Sequence, residues 1–109
     1  MTYLLVDADR NFREALAIAL RLEGHQVRTV SEGREALAQL QLGDVGCCVA
    51  DWGVEEVDQL LAAATRAGVR TVVTGVHPSL VASTARRHPR SEALPKPFRA
   101  EELTAMAGE

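Results

Sequence analysis

Tyr3-Leu4-Leu5-Val6-Asp7 decides the reading of this chain, because Cys47-Cys48-Val49-Ala50-Asp51 repeats its design. Each is a solid apolar run closed by an aspartate. A run without alternation is expected of a strand buried on both faces, as in a parallel sheet covered by helices. From Phe12 the period changes: Phe12, Ala15, Leu16, Ala19 and Leu20 form a helical stripe that Gly24 closes. Working outward, Val27 to Val30 reads as a second strand, and Ser31 as the cap of a helix carrying Ala36, Leu37 and Leu40 that ends at Gly43. After the Cys47 run come a helix with Val57, Leu60, Leu61 and Ala64, a strand from Val69 to Thr74, and a helix over Leu80 to Arg87 with Pro78 in its first turn. Ala93-Leu94 is a brief fifth strand and Arg99 to Ala107 a final helix. Pro95 lacks a donor for a ladder, so the fifth strand belongs at a sheet edge.

Five βα units in alternation predict an α/β fold, an open, doubly wound parallel sheet with helices on both faces; the alternation does not give the strand order, and of the two common doubly wound orders the five-stranded, flavodoxin-like 2-1-3-4-5 fits this count. Its switch point lies between strands one and three, at their carboxyl ends.

The chain has 109 residues, which suits one domain with one core. Twelve basic against fifteen acidic side chains give a net charge of −3, which gives no case for nucleic-acid or anionic-membrane binding. Cys47 and Cys48 are adjacent on a strand and face opposite ways, so they read as buried hydrophobes in a reducing cytosol rather than as a disulfide. No export signal and no run of 18 apolar residues is present, so the expected location is cytoplasmic. Among the basic residues eleven are Arg and one, Lys96, is Lys.

In the assumed strand order four side chains meet at the switch point: Asp7, Asp51, Thr74 and Lys96. Each has an ordinary alternative. An Asp after a strand caps the next helix, Thr favours strands, and Lys is usually solvated. Four together at the ends of four strands favour a site. Two close carboxylates need a compensating cation. The set suits phosphoryl transfer to a carboxylate: one Asp attacks, a divalent metal on the other offsets charge, and ammonium and hydroxyl groups take the phosphoryl oxygens. An ammonium is a compact point charge where Arg is a planar fork, so one Lys kept among eleven Arg fits a required ammonium.

Leu4-Leu5-Val6-Asp7, Val49-Ala50-Asp51-Trp52, Val72-Val73-Thr74-Gly75 and Lys96-Pro97-Phe98 follow one another at the spacing of a known family. Over residues 1–109 the chain resembles the receiver domain of two-component response regulators. The resemblance implies that Asp51 accepts a phosphoryl group from a histidine kinase or phosphotransfer protein, as an acyl phosphate. It implies a Mg2+ site made by Asp7, Asp51 and the backbone carbonyl of Gly53, with Asp9 as a further candidate ligand. Thr74 and Lys96 would contact the phosphoryl group, and the Lys96-Pro97 peptide bond would be cis. Such a domain is a phosphoacceptor rather than an enzyme, at most catalysing its own phosphorylation and dephosphorylation while switching an output partner.

Three positions depart from the family pattern. Ala8 stands where a second acid usually supplies a direct magnesium ligand, which weakens Mg2+ binding; Asp9, one position on, reads as a helix cap. The loop after Asp51 runs Gly53-Val54-Glu55-Glu56 without the usual proline, and its glutamates read as a solvated helix start. Ala93 replaces the strand-five aromatic that moves with the strand-four hydroxyl. Arg86, Arg87, Arg90 and Arg99 face Glu92, Glu101 and Glu102 around the fourth helix, fifth strand and fifth helix, either as a homodimer face or as a salt-laced solvated one. The end at Gly108-Glu109 fits a minimal stand-alone regulator or the N-terminal part of a longer chain with an output domain.

Two other readings compete. In a pseudo-receiver, motivated by Ala8 and Ala93, the fold is an interaction module that phosphorylation does not regulate. In the other, Asp7-Ala8-Asp9 resembles the Asp-x-Asp start of haloacid-dehalogenase-type phosphatases, with Asp7 as nucleophile. That enzyme needs acids after the lysine, where only helical glutamates follow, and leaves Asp51 without a role.

Overall fold

The computed structural model describes residues 1–109. Strands β1 (Thr2–Val6), β2 (Gln26–Val30), β3 (Cys47–Asp51), β4 (Arg70–Gly75) and β5 (Ser91–Pro95) alternate with helices α1 (Arg10–Leu22), α2 (Gly33–Leu42), α3 (Val57–Arg66), α4 (Pro78–Arg86) and α5 (Ala100–Met106). All pairings are parallel and the order is β2-β1-β3-β4-β5, as the sequence predicts.

The solid apolar runs are explained by two cores. Leu4, Val6, Cys48, Ala50 and Val73 pack under α2, α3 and α4, with Leu60, Leu61 and Val81. Their neighbours Tyr3, Leu5, Cys47, Val49 and Val72 pack under α1 and α5, with Leu16, Leu20 and Leu103. Alternate residues of each strand thus serve opposite faces. Cys47 and Cys48 are free and fall one in each core. Burial pushes the Cys47 thiol up to about 12 and Cys48 higher still, so neither offers a thiolate.

Two local expectations change. Ser31 does not cap α2: Glu32 is the N-cap residue and makes no side-chain cap bond. The Ser31 hydroxyl instead donates to the Glu35 carboxylate at 3.2 Å. The fifth strand is also longer than Ala93-Leu94. Ser91 and Glu92 belong to it through pairing with β4, which hydropathy cannot register on a strand open on one side. Pro95 closes that strand at the sheet edge.

The positive-φ glycine that matters most is Gly75 (φ +154°), at the end of β4. A Cβ there would lie 2.3 Å from Cδ1 of Trp52. The absent side chain lets the indole pack closely on the end of β4.

Candidate functional site

The carboxyl ends of the strands bring three of the predicted side chains into contact. β1 delivers Asp7 one residue beyond its last pairing, and β3 ends on Asp51. Lys96 follows the edge strand β5, and its amide donates to the Gly75 carbonyl at 2.8 Å. From there the ammonium donates to Asp7 Oδ2 at 2.7 Å and to Asp51 Oδ2 at 3.1 Å. Side-chain exposures of 10% for Lys96, 7% for Asp7 and 21% for Asp51 mean that water screens these pairs little. Burial acts to lower the Lys96 pKa. The hydrogen bonds and charges of Asp7 and Asp51 act in the opposite sense and prevail, so the ammonium is held above the ordinary lysine value. The Lys96-Pro97 peptide bond is cis.

The remaining predicted residues take distinct places. Thr74 is buried and stands opposite Asp51 in the β3–β4 register, with its carbonyl accepting from the Trp52 amide at 2.9 Å. Its hydroxyl makes no hydrogen bond to the acids or the lysine. Gly53 meets Asp51 through its N–H, which donates to Asp51 Oδ1 at 2.8 Å. Asp9 is the N-cap of α1: its carboxylate accepts from the Phe12 amide at 3.1 Å, and its own amide donates to Asp7 Oδ1 at 2.9 Å.

Two neighbours were not singled out in the sequence as site residues. Arg13 Nη1 donates to the Asp7 carbonyl at 2.6 Å, while its buried Nε has no partner. Phe12 places its ring 4.0 Å from the Lys96 ammonium. Phe12 opens the apolar stripe of α1, and that pattern marks it as a core residue rather than as a wall of the site.

Two carboxylates converge here and a third is absent, Ala8 standing where it would be; no cluster of three or more acidic, His or Cys groups exists. Every oxygen of Asp7 and Asp51 already accepts one bond, and each keeps a second lone pair. That donor set fits a magnesium ion that keeps several waters and binds through one or two carboxylates. Chemically the arrangement is a recessed group of two acids and one ammonium, with a carboxylate as a nucleophile and a cation beside it to offset developing negative charge.

A doubly wound sheet with an acid pair and a lysine at its switch point is the arrangement the sequence resemblance leads one to expect of a receiver domain. The chain belongs to the response regulator receiver domain family, whose model matches residues 3–108. It is similar in structure to a CheY-like receiver domain protein of Methanospirillum hungatei, with TM-score 0.84 and 20% identity over 98% of this chain and 90% of that one. The chemotaxis response regulator CheY4 of Vibrio cholerae matches at TM-score 0.80 and 20% identity, over 98% of this chain and 95% of that one. The beryllofluoride-activated NtrC4 receiver domain dimer matches at 0.81 and 21%, over 98% and 93%. No curated protein matches the chain. No helix is long and apolar enough to cross a membrane.

Proposed function

We propose that this receiver domain is a phosphoacceptor of a two-component phosphorelay. A carboxylate oxygen of Asp51 attacks the phosphorus of a phosphohistidine on a kinase or phosphotransfer protein. The P–N bond breaks, the histidine leaves with a proton, and an acyl phosphate forms on Asp51. The observation that carries this reading is the Lys96 ammonium bridging Asp7 and Asp51. Carboxylate repulsion is offset before any phosphoryl group arrives, and the same ammonium can follow the charge onto a phosphoryl oxygen. Thr74, across from Asp51 in the register, is the hydroxyl assigned to another phosphoryl oxygen. Magnesium would be held by Asp7, Asp51 and the Gly53 carbonyl, and when bound supplies charge neutralisation of the transferring group. With Ala8 in place of an acid, its affinity without phosphoryl oxygens is low. The domain then acts on an output partner, and a homodimer through α4, β5 and α5 is one form of that output.

The pseudo-receiver reading is favoured by Ala8 and Ala93 alone. Trp52, the only tryptophan, follows Asp51 and packs on Gly75, so its fluorescence reports on the site. Magnesium is titrated, then beryllofluoride or acetyl phosphate is added, with wild type and Asp51→Asn compared. A response that Asp51→Asn abolishes is expected. Silence in wild type at every magnesium concentration establishes the pseudo-receiver instead. Phosphatase turnover that survives Asp51→Asn and is lost in Asp7→Asn assigns the covalent chemistry to Asp7.

A further inference from the structure

A lysine side chain is a flexible four-carbon stem, and hydrogen bonds to two carboxylates leave its ammonium room to wander. At this site a third contact restricts it. The Phe12 ring lies 4.0 Å from Lys96 Nζ, well within the distance at which an aromatic face attracts a cation. Phe98 meets that ring edge-on, with centroids 5.6 Å apart and planes at 73°, so the ring is itself braced.

Phe12 is not merely nearby. Asp7 Oδ1 holds the amide of Asp9, and Asp9 Oδ1 holds the amide of Phe12. The Phe12 ring faces Lys96, and Lys96 returns a hydrogen bond to Asp7 Oδ2. The four contacts close a circuit that begins and ends on the same carboxylate. The residue after Asp7 takes no part in it, so the circuit tolerates Ala8.

We propose that Phe12 is a positioning residue for Lys96: its ring face fixes the ammonium between Asp7 and Asp51, and Phe98 fixes the ring. On the phosphoacceptor reading, on which the binding half of the test rests, the ammonium is thereby aimed where phosphoryl charge arrives. Phe12→Leu keeps an apolar side chain on the stripe of α1 and removes the aromatic face; Phe12→Tyr keeps the face.

Lys96 is the single lysine, so 15N-labelled protein gives one lysine ammonium cross-peak. Wild type and Phe12→Tyr are expected to show it sharp, with ε-methylene protons moved upfield by the ring. Phe12→Leu is expected to broaden the cross-peak, lose the upfield shift and weaken beryllofluoride binding about five-fold in the Trp52 signal. Phe98→Leu falls between. The proposal is overturned by Phe12→Leu that keeps a sharp cross-peak and wild-type affinity, or by Phe12→Tyr that behaves like Phe12→Leu. Should Phe12→Leu fail to fold, an ammonium signal unchanged in Phe98→Leu overturns it equally. The ammonium comparison needs no phosphoryl analogue. Wild type that fails to bind beryllofluoride therefore ends the phosphoacceptor reading and leaves the positioning test standing.

Discussion

Two three-membered charge clusters in this molecule are inverses of each other. At the strand ends one ammonium, Lys96, serves two carboxylates, Asp7 and Asp51. Between α3 and the end of α4 one carboxylate, Asp58, serves Arg87 at 3.1 Å and His88 at 2.7 Å. Their distances are alike and their surroundings are not. The Asp58 side chain is 54% exposed, its partners stand at helix ends, and one of them is charged only when protonated. The Lys96 cluster is recessed and its members issue from strand ends. Equal geometry therefore carries unequal energy: desolvation makes one cluster costly to break, and solvent makes the other replaceable.

The largest effect should come from Lys96→Met, which leaves two recessed acids facing each other. A loss of about 3 kcal/mol is expected in denaturant titration. The raised lysine pKa sets the pH signature. The stabilisation is fully present below the ordinary value of about 10.4 and is lost as pH rises through the higher folded value. On the alkaline side, the gap between wild type and Lys96→Met should thus narrow in strongly alkaline solution, as the ammonium loses its proton. Next is Gly75→Ala, which forces a Cβ into the Trp52 ring. A cost of about 2 kcal/mol and a displaced tryptophan emission are expected, since packing beside the recessed cluster has no slack. Asp9→Ala removes the α1 cap at a cost of about 1 kcal/mol, read by thermal unfolding. The smallest effect is Asp58→Asn, under about 1 kcal/mol and vanishing in high salt. The His88 hydrogen bond, opposed by desolvation and aided by Arg87, holds Asp58 below the usual carboxylate range. Its contribution is therefore present above about pH 3.9 and fades as pH falls through the lower folded value. A salt-insensitive loss in Asp58→Asn, or none in Lys96→Met, would break the contrast.

The strands were legible because hydropathy marks those buried on both faces, whereas their order followed only from the doubly wound class that fits five strands; Asp7, Asp51 and Lys96 were legible because strand ends in that order meet at the switch point. What stayed hidden depends on contacts between distant residues. Ser31 reads as a cap because its residue type favours one, yet Glu35, four residues on, captures the hydroxyl. Arg87 was grouped by sequence with the charges around β5, whereas the structure turns it to Asp58 on α3. Arg86, Arg90 and Arg99 make no ion pair with Glu92, Glu101 or Glu102, so the salt-laced face is not formed. Phe12 was visible as a member of a stripe and invisible as a wall of the site, because a stripe says which face is buried and not what lies across from it.

The edge position of β5 has a kinetic side. A strand paired on one side only is among the cheapest parts of a sheet to open, and this one leads directly into Lys96. Each time β5 lifts, Asp7 and Asp51 lose the ammonium they share. The amide of Lys96 is bonded to Gly75 across that seam, so hydrogen exchange at this one position clocks how often the seam that carries the lysine opens.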